Sequence, residues 1–357
     1  MAKLKVLVVG AGNMGASHAR AYQKLKGFEI CGIVTRGEAS RNKLIDALGG
    51  GIKGYSNYDE ALADANPDCV SINTYPETHA EYALKAFDAG AHVFLEKPVA
   101  ETVEKAQEVI DAAKAKNLKL VVGYILRVHP SWIRFIEIAQ TLGHPLVMRM
   151  NLNQQSHGYM WDVHRNLMNS MSPIVDCGVH YVDVMCQMTR SKPIRVSGMG
   201  ARLSDELKPG MYNYGHLQVT FENGSVGWYE AGWGPMMSET AFFVKDVVGP
   251  KGSCSIVAKN AAGESKSSDI DSHSKTESLR VHYADLDDKQ EFSKPDEIID
   301  LQDEPNHDEL CEREQAYFLQ AIQEDLDLSD HMADAVNSLR IVLAADQSFK
   351  EGRVIEL

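Results

Sequence analysis

Lys5 to Val9 reads KVLVV, and Gly10-Ala11-Gly12-Asn13-Met14-Gly15 follows at once. A short apolar run with that β-branched content predicts a strand buried on both faces. Ala16 to Leu25 then has helical composition, so a G-x-G-x-x-G joins a strand to a helix. Each glycine has a job in that arrangement: Gly10 permits the tight turn, Gly12 lets the backbone approach a pyrophosphate, and Gly15 lets helix and strand pack closely. The unpaired N–H groups at Asn13 and Met14, with the helix dipole, favour phosphate charge. The expectation is a nucleotide site at the first βα turn of a parallel sheet.

Phe28 to Val34, FEICGIV, reads as the second strand. About twenty residues beyond the glycines, a site preferring NAD carries an acid for the ribose 2′-hydroxyl. Thr35-Arg36 stands there instead, with Ser40, Arg41 and Lys43 close behind. A hydroxyl and a planar guanidinium suit a 2′-phosphate, so NADP is expected ahead of NAD, with Glu38 keeping NAD open. Asp68 to Asn73 is another buried strand, and it ends in the polar turn Thr74-Tyr75-Pro76-Glu77-Thr78-His79, where ligands sit in an open α/β sheet. Helix 80–89, strand 92–95, the triplet Glu96-Lys97-Pro98, helix 103–116 and strand 119–122 continue the alternation. Residues 1–123 are therefore expected to form a dinucleotide-binding Rossmann domain.

Residues 124–357 change character. Leu146 to Gln155, Arg195 to Arg202, Tyr214 to Phe221, Val226 to Gly232, Thr240 to Val248 and Leu279 to Leu286 read as longer strands, most without helices between them. Asn223-Gly224 between two alternating runs signals a hairpin, and Leu217, Val219 and Phe221 against Gln218 and Thr220 give one apolar and one wetter face. An open, mostly antiparallel sheet is expected, making the whole chain α/β. Ala261 to Lys275 reads as an exposed loop, and helices at 309–323 and 333–349 close the chain, the last packing back on the rest.

Composition narrows the partners. A net charge of -14 opposes nucleic acid and anionic lipid. No apolar run approaches the ~20 residues of a membrane span, and with the first strand starting at once no signal peptide is expected. The six Cys have no C-x-x-C among them and suit reduced thiols in the cytoplasm.

The chemistry concentrates in Asp176-Cys177-Gly178-Val179-His180-Tyr181-Val182-Asp183. On a helix, Asp176, His180 and Asp183 share one side. Oxidising an alcohol requires removal of its hydroxyl proton, and histidine, with an unperturbed pKa of about 6.5, suits that step. Lys97 offers the complementary cation, which stabilises developing alkoxide charge. Asp176 can bond a substrate hydroxyl or orient the imidazole.

GAGNMG at 10–15, NTYPETH at 73–79, AGAHVFLEKP at 89–98, GYILRVHP at 123–130 and DCGVHYVD at 176–183 together resemble the glucose–fructose oxidoreductase / inositol dehydrogenase (Gfo/Idh/MocA) oxidoreductases over essentially the whole chain. The resemblance implies Lys97, Asp176 and His180 as the catalytic trio, with Glu96, His79 and the 74–78 turn along the nicotinamide half of the cofactor. It implies Arg127 as a basic residue entering the second domain, and an open sheet that builds homodimers or homotetramers. One departure stands out: Ser170-Met171-Ser172-Pro173 precedes Asp176 where family members often carry a glycine run.

Upstream, Gln154, Gln155, His157, Tyr159, Trp161, Asp162, His164 and Arg165 supply the hydrogen-bonding and aromatic groups that a polyol or sugar needs. A surface loop explains them singly as well. No compact ligand cluster surrounds His180, so no metal is expected. Trp228, Trp233, Met236 and Met237 read as packing or subunit contact. Three functions fit: an NADP(H)-dependent sugar or polyol oxidoreductase, redox-neutral glycoside cleavage with a tightly held nicotinamide, and a dinucleotide-sensing regulator. The Lys97 and His180 pair favours the first, since a sensor needs no proton-transfer set.

Overall fold

The computed structural model describes residues 2–238, 244–257, 267, 274 and 276–357. They fall into two compact units, Met1–Val128 with Pro305–Val336, and His129–Glu304 with Asn337–Leu357.

In the first unit the strands are β1 (Leu4–Val9), β2 (Phe28–Val34), β3 (Gly54–Tyr55), β4 (Cys69–Ile72), β5 (His92–Leu95) and β6 (Leu120–Val122). All pair in parallel in the order β3-β2-β1-β4-β5-β6. Helices α1 (Asn13–Lys24), α2 (Glu38–Ala47), α3 (Tyr58–Ala65), α4 (His79–Asp88) and α5 (Val103–Ala115) make the crossovers. The run of apolar residues in β1 is explained by helices on both faces of the sheet, and Val6, Leu7 and Val8 are fully buried. The order reverses between β1 and β4, which sets the turns after those two strands side by side at the carboxyl edge, the place where this topology binds ligands.

The chain returns to this unit late. Asn306 caps Glu309 N–H while the Glu309 carboxylate accepts from Asn306 N–H, a reciprocal cap that starts α10 (His307–Gln323). Phe318 of α10 then packs against Phe28 and Phe94, each ring centroid 6.2 Å away.

The second unit holds a nine-stranded sheet ordered β14-β13-β12-β11-β7-β10-β9-β8-β15. Its strands are β7 (Val147–Gln155), β8 (Pro193–Ala201), β9 (Tyr214–Phe221), β10 (Val226–Gly234), β11 (Lys245–Gly249), β12 (Gly252–Val257), β13 (Ser278–Tyr283), β14 (Glu297–Asp300) and β15 (Ile355–Glu356). Every neighbour pair is antiparallel except β7 with β10. The Asn223-Gly224 hairpin is present: Gly224 adopts φ +81, and Phe221 N–H bonds the Ser225 carbonyl at 2.9 Å. Leu217, Val219 and Phe221 are buried, and Gln218 is exposed.

One end of the expected strand 240–248 and the expected 261–275 loop, apart from Ser267 and Ser274, lie outside the described residues. The helices of this unit are α6 (Pro130–Thr141), α7 (Tyr159–Leu167), α8 (Pro173–Asp176), α9 (Gly178–Thr189) and the later part of α11 (Ser329–Glu351). An aromatic column anchors α6 and α9 to the sheet: Tyr181 stacks on Tyr229 at 5.0 Å and meets the edge of Trp132 at 5.8 Å. No helix among the described residues is long and apolar enough to cross a membrane.

Candidate active site

In the first unit, Gly10, the turn 73–78 and Glu96 all follow parallel strands and so lie along one edge. Gly10 has φ +100, and a Cβ there would overlap the Asn73 carbonyl. A Cβ on Gly15 would overlap the Gly10 carbonyl. Around Gly12 the opposite holds, since a Cβ would meet nothing within 4 Å. Gly12 is also the N-cap of α1, has no side-chain cap, and is followed by a first turn without acidic residues. An open approach, uncapped N–H groups at Asn13 and Met14 and a favourable dipole fit a dinucleotide pyrophosphate.

At the end of β2, Thr35 is half-buried and Arg36 exposed. Arg41 is held back, its Nη1 donating to the Thr35 carbonyl at 2.7 Å, so it shapes the turn and Arg36 is the freer guanidinium. In the β4 turn, Thr74 Oγ1 bonds Thr78 Oγ1 at 2.6 Å, while Tyr75 is 72 % exposed. His79 is fully buried, with its ring nitrogens 2.7 Å from the Pro98 carbonyl oxygen and 3.0 Å from that of Thr74. It ties the β4 turn to the residue after Lys97, and burial lowers its pKa below the ordinary value.

Glu96, 6 % exposed, points inward. Its Oε2 accepts Lys97 N–H at 3.1 Å, and its Oε1 lies 2.8 Å from His18 Nε2. Tyr22 bonds Gln315 Oε1, and Gln315 Nε2 reaches His18 Nδ1 at 2.9 Å. Because that amide nitrogen donates, His18 Nδ1 accepts and Nε2–H donates to Glu96, so every group in the chain has a defined role. His18 also belongs to a group of metal-type donors with Cys311 and Glu314, but both of its ring nitrogens are spent on Gln315 and Glu96. Arg127 pairs with Asp334 at 2.9 Å and lies 5.9 Å from the Tyr124 ring, all within this unit.

In the second unit, Asp176 and His180 are half-buried. Asp176 ends α8 and His180 lies in the first turn of α9, so the stretch is two helices joined through Cys177 at φ -88 and ψ -32. Those dihedrals are helical, which keeps the turn-to-turn relation of the two side chains. His157 and Tyr159 are exposed. Trp161 is buried and donates to Glu206 Oε1 at 3.1 Å, and Arg165 pairs with Asp162 and Glu206.

His164 faces inward, stacked on Trp233 at 4.4 Å with its Nδ1 2.9 Å from Ser156 Oγ. Burial lowers its pKa from 6.5 to about 4, with Asp176 pulling weakly the other way. Since the unfolded chain takes up this proton first, stability present above about pH 6.5 is lost as pH falls toward 4, by about 2–3 kcal/mol. Urea titrations across that window should show the loss, and His164→Gln should flatten it. An unchanged slope would remove His164 as the cause. Ser156, Trp233 and Glu206 carry no sequence signal that ties them to His164 or Trp161.

The model described as the oxidoreductase family with an NAD-binding Rossmann fold matches residues 4–124, and the GFO/IDH/MocA C-terminal domain matches residues 137–254. The chain belongs to the Gfo/Idh/MocA oxidoreductase family. It is similar to an inositol 2-dehydrogenase of Paracoccus denitrificans, 29% identical over 51% of this chain and 53% of that one. A glucose-6-phosphate 3-dehydrogenase of Bacillus subtilis is 25% identical over 57% of this chain and 59% of the relative. These matches span little more than half the length of either relative. In fold it resembles the scyllo-inositol dehydrogenase of Lactobacillus casei solved with NAD(H) and scyllo-inositol, with TM-score 0.78, 18% identity and 99% of each chain covered.

Proposed function

We propose that this Gfo/Idh/MocA member oxidises a CH–OH group of a sugar, inositol or related polyol, or reduces the matching carbonyl, with a nicotinamide dinucleotide. The observation that carries the reading is the position of Lys97 on the same strand-end edge as the open glycine turn. The turn 10–15, Thr35-Arg36 and Thr74-Tyr75-Pro76 would hold the cofactor, which when bound supplies the hydride acceptor or donor. Lys97 Nζ stabilises negative charge growing on the substrate oxygen. His180 takes or returns the hydroxyl proton, and Asp176 holds a neighbouring hydroxyl or the imidazole. His164 and Trp233, a flat buried pair, suit the C–H face of a ring substrate. The similar scyllo-inositol dehydrogenase solved with NAD(H) supports a nicotinamide dinucleotide as the cofactor class. The test is a screen of cyclic polyols and aldoses with both cofactors, followed by absorbance at the nicotinamide band. Net absorbance change with one of them supports the reading, whereas product without it would mean redox-neutral cleavage.

NADP(H) is the preferred form in this reading, supported by the lack of an acid at positions 35–36 and the exposure of Arg36. Arg36→Ala should weaken NADP(H) binding by about 1–3 kcal/mol and barely touch NAD(H). Wild-type protein that binds NAD(H) more tightly in titrations would refute this. The wetter sheet face, with Gln218 exposed and Trp228 half-buried, supports a homo-oligomer interface. Sedimentation at micromolar concentration should then show more than a 39.5 kDa species; a monomer alone would exclude it. Six cysteines without a disulfide framework support a cytoplasmic setting.

A further inference from the structure

Ser172 and Pro173 stand where the glycine run was expected, and the structure gives them a definite task. Ser172 is the N-cap of α8, its Oγ accepting Val175 N–H at 3.2 Å, with Pro173 in the first turn. The same hydroxyl donates to Asp346 Oδ1 of α11 at 2.8 Å. Tyr212 donates to that same carboxylate oxygen. The tyrosine ring is seated by small residues, since a Cβ on Gly200 or Gly215 would come within 2.8 Å of it, and Phe349 closes the other side at 4.8 Å.

Asp346 is thus an inward carboxylate that collects two hydroxyl donors from two different segments. One of those donors caps the four-residue helix that ends in Asp176, and the helical link at Cys177 passes the constraint on to His180. A helix this short has little stability of its own, so its start depends on the cap. We propose that Asp346, acting through Ser172 and braced by Tyr212, is the positioning residue for the Asp176–His180 segment. This rests on the reading that Asp176 and His180 serve catalysis. All five residues lie within one unit.

The conservative variant separates this role from simple packing. Asparagine keeps an Oδ1 that accepts both hydroxyls, whereas alanine leaves them without an acceptor. On the polyol or sugar that the wild-type protein turns over, Asp346→Ala should lower kcat/KM by about tenfold or more, as a sub-ångström displacement of reacting groups does. It should also move the pH profile of the rate, while Asp346→Asn stays within about threefold of wild type. Ser172→Ala should act in the same direction with a smaller effect, and it carries the test if Asp346→Ala does not fold.

A second readout does not need turnover. Proton resonances of the His180 imidazole, assigned through His180→Gln, should titrate with a shifted midpoint in Asp346→Ala and Ser172→Ala and not in Asp346→Asn. If the wild-type protein turns over no sugar or polyol, the functional reading fails while this titration still decides the positioning role. Folded Asp346→Ala and Ser172→Ala with wild-type kcat/KM, pH profile and His180 midpoint would overturn the proposal.

Discussion

Lys97→Ala is expected to lower turnover by on the order of a hundredfold or more while changing dinucleotide affinity only a few-fold. The asymmetry follows from where the charge matters. An ammonium beside a neutral hydroxyl contributes modestly, but beside an oxygen gaining negative charge it contributes most at the transition state, so kcat falls with kcat/KM. The main chain of Lys97 is held in place. Lys97 N–H is bonded by Glu96, Glu96 by His18, and His18 by Gln315, and none of Glu96, His18 and Gln315 is more than 6 % exposed. His180→Ala should lower turnover comparably and should also remove or displace a pH dependence near neutrality, since in the proposed reading it takes away the proton acceptor. Steady-state rates with cofactor titrations measure both. Near-normal turnover in either variant, with cofactor still bound, would remove that residue from the mechanism and favour the sensing regulator.

What the sequence made legible divides along physical lines. The first βα unit announces itself because a fully buried strand and a glycine turn leave few alternatives, and the turn's steric demands are local. The Asn223-Gly224 hairpin and the alternating face of β9 are likewise local signals. The β12 strand was missed because Gly252-Ser253-Cys254-Ser255 lacks β-branched residues and is stabilised by its neighbours on both sides, a tertiary effect. The parallel pairing of β7 with β10 joins segments far apart in sequence and leaves no mark in either strand.

Helix α10 starts at His307, ahead of the expected 309, because Asn306 three residues before Glu309 forms a capping box.

Among the candidate residues of the two units, those with chemistry of their own carry a sequence signal and those that hold them do not. Lys97, Asp176 and His180 stand out by type and by family pattern. His18 and Gln315 are 297 residues apart, and Ser172 and Asp346 are 174 apart, so their partnerships exist only in the fold. Asp346 on a long helix reads in isolation as a solvated acid; in the fold it is half-buried, and burial raises its pKa above the ordinary value. The stretch Ser170–Pro173, which looked like a loss of the glycine run, is a cap in the structure.

The three glycines should separate into two behaviours. Gly15→Ala places a methyl group against the Gly10 carbonyl, a backbone atom that cannot swing aside. Gly10→Ala meets the Asn73 carbonyl and must also hold φ +100, outside the range that L-residues adopt easily. Both should destabilise the first unit by roughly 1–3 kcal/mol or more, lowering its melting temperature with or without cofactor. Gly12→Ala should not. Its φ of -77 and ψ of -169 suit alanine and its Cβ has open space, so the unfolded-chain gain and the poorer N-cap offset each other and stability should stay within about 1 kcal/mol of wild type. If the open space is where a pyrophosphate meets the α1 N–H groups, that methyl group blocks the approach. The loss of such charge-assisted hydrogen bonds amounts to roughly 1.5–3 kcal/mol, a ten- to hundredfold rise in dinucleotide Kd. Calorimetric titration beside thermal unfolding measures the two together. A Gly12→Ala protein that melts as wild type and binds NAD(H) and NADP(H) as wild type would show that the phosphates do not meet this turn, and the dinucleotide reading of the edge would fall with it.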